Sequence, residues 1–240
     1  MALVRETTMA IIVRARVYAH RVRYTGHDVW CPVCERSARR FASHRGRPQA
    51  RCPHCGSLER HRVLWLWLRA RVPAGARVLH VAPEPGLAQR LQELSIKYLS
   101  VDLDSPHAMK HCDITAIPEP DASFDVVICN HVLEHIADDR TAMRELRRVL
   151  RPGGLAVLQH PVEDRPDSFE DASVVDPAER LRVFGQEDHV RIYGWDILDR
   201  LREAGFVDVS VPEPCDDYSP AEHARYGLMP SPTIVATRRS

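Results

Sequence analysis

Between Arg77 and Pro161 the chain alternates short apolar runs with helical segments, and few architectures accept that alternation. The first run is Arg77-Val78-Leu79-His80-Val81. A tight segment, Ala82-Pro83-Glu84-Pro85-Gly86, follows it, and then a helical pattern in Leu87, Leu91 and Leu94. Tyr98 to Asp102 is a second run ending on an acid, His111 to Ile114 a third, and Phe124 to Asn130 a fourth. A charged amphipathic segment, Asp138 to Leu150, leads to a Pro152-Gly153-Gly154 stop and a fifth run, Leu155 to Gln159. This order predicts βαβ units and a parallel sheet. Such sheets bind ligands beyond the carboxyl ends of their strands. Here those ends carry Glu84, Asp102, Asp113, Asn130, His131 and His160.

With 240 residues the chain can bury a sizeable core. No apolar run has the length of a membrane span, and Arg14 and Arg16 cut short the apolar residues 9–13. A cytoplasmic protein without a secretory signal or a membrane partner is therefore expected. The oligomeric state is not legible. Net charge is zero but uneven: residues 1–72 hold 15 Arg, no Lys and 4 acids, which leaves −11 for the remainder. Either the front segment meets an anionic partner, or it neutralises the acids behind it.

The densest local signal is Cys31-Pro32-Val33-Cys34, then 17 residues, then Cys52-Pro53-His54-Cys55. Two Cys-x-x-Cys knuckles at this spacing supply four thiolates to a tetrahedral ion, and zinc suits a sulfur cage. Four protein ligands leave no open position, which makes the site structural. Two disulfides, a redox pair or an iron–sulfur centre are the alternatives. Ser57 is placed to cap a helix from Leu58 to Arg71 that is apolar around most of its girth. Arg60, His61 and Arg62 at its start either line a cavity or sit as surface charge.

The runs Ser123-Phe124-Asp125-Val126-Val127-Ile128-Cys129-Asn130-His131-Val132-Leu133-Glu134-His135-Ile136 and Leu146-Arg147-Arg148-Val149-Leu150-Arg151-Pro152-Gly153-Gly154 resemble class I S-adenosylmethionine-dependent methyltransferases, of the type 11 kind. They stand at that family's spacing, behind a strand ending on Asp102. The resemblance covers Arg77 to Pro161 and returns from Val190 to Arg238. It implies a Rossmann-like sheet of seven strands, mostly parallel with an antiparallel last strand. It also implies that S-adenosylmethionine is bound by His80, Ala82, Glu84, Gly86, Asp102, Asp113, Ile114 and Asn130. Asp102 would take the ribose hydroxyls, Asp113 and the Ile114 backbone the adenine edge, and Glu84 the methionyl ammonium. The chain departs from the family at its first loop, where Gly-x-Gly-x-Gly is replaced by Ala82-Pro83-Glu84-Pro85-Gly86 and only Gly86 survives.

His131 and His160 are the candidate acid–base residues, and His189, Arg191 and Tyr193 the candidate substrate contacts. The expected organisation is a basic zinc-ribbon-like module over residues 1–72 and a methyltransferase domain over 73–240. Phe206 to Val211 and Thr233 to Thr237 would close the sheet, and the Pro-rich stretch from Pro212 to Pro232 would cover the substrate. The expected reaction is methyl transfer to an O, N or S nucleophile of a small molecule or modified peptide. The competing readings are a ribosomal-RNA methyltransferase that docks RNA through the basic module, and a non-catalytic binding module.

Overall fold

The structure is a computed structural model that describes residues 22–213 and 215–240. The apolar face expected at Ile11 to Val17 lies outside the described residues. In chain order the strands are β1 (Val29–Cys31), β2 (Arg36–Ala38), β3 (Ala42–His44), β4 (Arg47–Arg51), β5 (Arg77–Val81), β6 (Lys97–Asp102), β7 (Lys110–His111), β8 (Phe124–Asn130), β9 (Leu150–Gln159), β10 (Phe169–Glu170), β11 (Arg191–Ile192), β12 (Phe206–Ser210) and β13 (Ile234–Arg238). The helices are α1 (Glu59–Arg69), α2 (Pro85–Gln92), α3 (Asp139–Val149), α4 (Pro177–Phe184), α5 (Ile197–Glu203) and α6 (Pro220–Tyr226). A 3₁₀ turn spans Leu133–His135. Among the described residues no helix is long and apolar enough to cross a membrane.

The chain divides into two compact units. Of the described residues, one unit holds those up to Leu66 together with Cys215–Met229, and the other holds residues 67–213 and Pro230–Ser240. This corrects the expected division at residue 72. Cys215–Met229, expected within a 73–240 domain as a cover for the substrate, belongs with the N-terminal segment. The reason is apolar: Cys215 and Leu228 form a buried cluster with Val63 and Leu66, flanked by Tyr218 and Tyr226. The Tyr226 ring lies 5.5 Å from that of Trp30.

In the first unit β1 pairs with β2 and β3 with β4, each as a two-stranded antiparallel ribbon. Arg62, expected near a cavity or the surface, is fully buried. Its Nη1 donates to the carbonyls of Ala50 and Ser57, both at 3.0 Å, and its Nη2 to that of Gly227 at 2.7 Å. The guanidinium also lies 4.0 Å over the Phe41 ring. Such a fork ties three carbonyls from separate segments together through one buried cation. Gly227 ends α6 at φ 60°, and a Cβ there would meet the Phe41 ring at 2.6 Å. Glycine fits both demands.

The second unit is an α/β Rossmann-like sheet of seven strands in the order β12-β13-β9-β8-β5-β6-β7. Strands β5 to β9 run parallel, and β13 is antiparallel to both its neighbours. The expected fold class and the expected closing pair are both present. Branched residues alternate through the central strands, so Leu79, Val81, Val127, Cys129, Ala156 and Leu158 sit in one core with Met143 and Leu146 of α3. Asp138 caps α3 by accepting from the Thr141 N–H at 2.9 Å.

Two expected boundaries shift. β7 is only two residues long, because Asp113 Oδ1 accepts from the Thr115 N–H and hydroxyl, both at 2.8 Å, and turns the chain. β9 begins at Leu150, ahead of the Pro-Gly-Gly stop. Leu150 pairs with Phe124 and Leu155 with Val126, so Arg151 to Gly154 form a bulge inside the strand.

Candidate functional site

β5 is the first strand of the sheet, and the chain runs outward from it twice, to β6 and β7 on one side and to β8 and β9 on the other. The order therefore reverses between β5 and β8. In open α/β sheets the crevice beyond such a reversal is where ligands bind. The residues just past these two strands are Ala82 and His131, and both line a cavity of about 580 Å³. That volume suits a small ligand or cofactor. Both residues also hold left-handed backbone, with φ 49° for Ala82 and φ 52° for His131. Non-glycine residues pay about 1–3 kcal/mol for such conformations, which cluster at ligand sites. Ala82 thus takes a turn that glycine usually supplies.

The rest of the lining comes mainly from the segments after β6, β7 and β8, with Asp188 opposite. Asp102 and Leu103 follow β6, and Cys112 to Thr115 follow β7. Val132 and His135 to Asp138 follow β8, and Asp188 lies across from them. Asp102 Oδ1 accepts from the N–H groups of Asp104 and Ser105, at 2.9 and 2.8 Å. These bonds fix the carboxylate at the strand end. Leu103 is 63% exposed and Ile114 is buried, so an apolar strip with acidic margins lies beside Asp102.

Beneath the altered loop lies a polar network. His80 Nε2 is 2.9 Å from Glu84 Oε2, and Asn130 Nδ2 donates to Glu84 Oε1 at 3.2 Å. The other His80 nitrogen, Nδ1, is 3.0 Å from the Tyr98 hydroxyl. Burial pushes the Tyr98 pKa up, which keeps it a hydrogen-bonding phenol. Glu84 and Gly86, expected to touch the cofactor, are not among the residues that line the cavity, and His80 and Asn130 are buried and do not line it either. Those last two were also expected to touch cofactor; the structure instead shows them orienting Glu84. Gly86 is the second residue of α2, behind Pro85 at its first turn.

The candidate acid–base pair also separates. His131 reaches the cavity, while the His160 side chain is fully buried, with its ring 5.6 Å from that of Tyr193. Glu134 stands between them, 3.4 Å from His131 Nδ1 and 3.4 Å from His160 Nδ1. Burial alone would raise the Glu134 pKa, but the two histidines outweigh it and hold the carboxylate ionised. His160 is thus not placed to meet a substrate directly.

Of the three expected substrate contacts, none lines the cavity. Arg191 is buried and donates from Nη1 to the carbonyls of Leu133 (2.8 Å) and Ile136, and from Nη2 to that of Ala137 at 2.9 Å. Tyr193 is buried too, and its hydroxyl donates to Asp139 Oδ2 at 2.7 Å. Both residues hold the loop after β8 from below. His189 is buried beside the His135 ring at 4.7 Å, and burial first, then His135, lowers its pKa. The lining residues Leu103, Thr115 and Asp188 did not stand out in the sequence. Only an apolar residue directly after the strand-end acid, at Leu103, offered a signal.

In the first unit the four cysteines of the paired knuckles converge as free thiols. Cys31 and Cys55 Sγ atoms are 3.8 Å apart, and those of Cys34 and Cys52 3.7 Å. Ser57 does not cap α1; its hydroxyl lies 3.2 Å from both Cys31 and Cys55 Sγ. The His54 N–H points at Cys52 Sγ from 3.4 Å. Crowding divides the four: hydrogen bonds from Cys34 and then Cys52 bring Cys31 to about 7, whereas bonding with Cys31 raises Cys34 and Cys52.

Residues 63–158 match the family described as a methyltransferase domain. Two curated relatives carry that name. An uncharacterized methyltransferase of Mycobacterium sp. (strain KMS) is 33% identical over 111 residues, covering 41% of this chain and 44% of that protein. The 27-O-demethylrifamycin SV methyltransferase of Amycolatopsis mediterranei (strain S699) is 31% identical over 132 residues, covering 55% of this chain and 45% of the relative. The chain thus spans about half the length of the curated relatives it matches. Among solved structures, the 1,6-didemethyltoxoflavin-N1-methyltransferase of Burkholderia thailandensis, with 1,6-didemethyltoxoflavin and S-adenosylhomocysteine bound, superposes with a TM-score of 0.52. It is 18% identical, with 75% of this chain and 78% of that one covered, so the likeness is one of fold. The methyltransferase-like segment ends at Leu158, in the last parallel strand, and so contains the strand ends that frame the cavity.

Proposed function

We propose that this chain transfers a methyl group from S-adenosylmethionine to an O, N or S nucleophile of a small molecule or modified peptide. The observation that carries this reading is Asp102. Two backbone donors hold its Oδ1 at the strand end, and the carboxylate borders the cavity at the switch point. Its second oxygen suits a ribose diol, and the strip of Leu103, Asp113 and Ile114 suits an adenine. Glu84, held by His80 and Asn130, is the carboxylate assigned to the methionyl ammonium. Ala82 supplies the backbone approach, and the start of α2 at Pro85 and Gly86 is assigned to the methionyl carboxylate, which a helix N-terminus favours. A relative named as a 27-O-demethylrifamycin SV methyltransferase supports methyl transfer as the reaction class, and the fold is shared with a methyltransferase solved with S-adenosylhomocysteine.

S-adenosylmethionine brings an electrophilic sulfonium methyl, and the protein need only align the acceptor and exclude water. Alignment alone can lower a barrier by about 7–11 kcal/mol. His131 is the side chain placed to take an acceptor proton, with Glu134 behind it to stabilise the imidazolium. His160 acts only through Glu134.

The four cysteines are proposed to hold a structural zinc. A tetrahedron with bonds of about 2.3 Å to sulfur has edges of about 3.8 Å; the Cys34–Cys52 and Cys31–Cys55 pairs stand at 3.7 and 3.8 Å, with all four sulfurs within 4.8 Å of one another. The donors from His54 and Ser57 suit thiolates.

Asp102→Ala is expected to weaken binding of S-adenosylhomocysteine by about 1.5–3 kcal/mol, the worth of hydrogen bonds to a charged group. Calorimetry checks it, and equal affinities for wild type and variant would remove Asp102 from the site.

A further inference from the structure

We propose that Glu134, His135 and His189 bind a divalent first-row transition cation, separate from the four-cysteine site. One ligand atom from each lies within 4.8 Å of the others. Two imidazoles and a carboxylate are a donor set that suits zinc or iron(II) with positions left open.

Three observations point to a ligand. Glu134 is 2% exposed, and a carboxylate at that depth calls for a cation or good donors. Its histidine neighbours stand at 3.4 Å, longer than a good hydrogen bond, and Oε1 has no hydrogen-bond partner. Both candidate imidazoles have outer partners as well. Asp188 Oδ2 lies 3.1 Å from His135 Nδ1, and the His189 ring hydrogen-bonds the backbone of Phe184. A carboxylate or carbonyl on one ring nitrogen fixes the tautomer and leaves the other nitrogen its lone pair for a metal. The Gln186 amide also meets His189 Nε2, but it is a neutral group that a cation's field outweighs.

The rival reading is a purely structural cluster in which protonated histidines neutralise Glu134. It predicts no metal uptake. Because His135 and Asp188 also line the cavity, a cation here would border it, and its open positions would take oxygen or nitrogen donors. On the methyl-transfer reading those donors belong to the acceptor, but the metal site itself does not depend on that reading.

The test uses the full chain with its cysteine site already loaded with zinc, titrated with Co²⁺ alone. One further equivalent is expected to bind saturably at micromolar metal. It should show weak visible bands and no thiolate-to-cobalt charge transfer, which separates it from cobalt exchanged into the sulfur site. His135→Ala and His189→Ala should each lower that affinity by about tenfold or more, with the zinc content unchanged. Two variants keep the test valid if one fails to fold. Absence of uptake in the wild type, or uptake that neither variant weakens, would overturn the proposal.

Discussion

Stripping the zinc proposed for the four cysteines, or changing Cys52 to Ser, is expected to unfold the N-terminal unit while the seven-stranded sheet stays folded. The unit's strands form two ribbons of three to five residues each, joined by α6 and most of α1, and ribbons of that size are marginal alone in water. Its small apolar cluster, Val63, Leu66, Cys215 and Leu228, adds a modest amount. A tetrathiolate zinc contributes on the order of 10–16 kcal/mol in small modules, which outweighs both. Without metal, four thiols at these separations face mutual repulsion once any two ionise. Hydrogen exchange checks the prediction: amides of β1 to β4 should lose protection on chelation, and amides of β8 and β9 should keep it. Protection unchanged in metal-free protein would show that the cysteines do not hold the unit.

Arg191→Met should lower the stability of the second unit by about 3–5 kcal/mol, the usual cost of removing one partner from a buried ionic cluster. Arg191 donates to the carbonyls of Leu133, Ile136 and Ala137 and faces Glu170 at 3.3 Å and Asp139 at 3.8 Å. Methionine fills much of the volume but leaves three carbonyls and two carboxylates without this cation. Arg200 still reaches Asp139 at 3.1 Å and also pairs with Glu170, so part of the cluster survives. Denaturant unfolding measures the loss. A variant as stable as wild type, with only its substrate affinity changed, would return Arg191 to the role read from the sequence.

That contrast marks what a sequence can convey here. The sheet was legible because period and length are local properties, and the antiparallel pair that closes it was legible with them. The convergence of Cys31, Cys34, Cys52 and Cys55 was legible because a tetrahedral ion constrains spacing. Of the strand-end residues, Asp102, Asp113 and His131 line the cavity, because a parallel sheet brings strand ends to one edge, whereas Glu84, Asn130 and His160 do not; Ala82 and Ile114, which also line it, were implied by the family resemblance. The direction a side chain takes from a loop is not local. Arg191 and Tyr193 looked like substrate contacts, yet they turn inward to feed carbonyls and Asp139. His80 looked like a cofactor contact, yet its register puts it inside β5 beneath the loop, where it aims Glu84. The destination of Cys215–Met229 was hidden for a related reason: its partners Trp30, Val63 and Leu66 lie more than 140 residues away in sequence.

The central claim is that the cavity between β5 and β8 holds S-adenosylmethionine despite its altered loop. A crystal of the full chain grown with saturating S-adenosylhomocysteine tests it most directly. The ribose hydroxyls are expected on Asp102, the adenine against Leu103 and Ile114 with Asp113 at its edge, and the amino group beside Glu84. An empty cavity under those conditions, or the ligand bound elsewhere with Asp102 untouched, would contradict it.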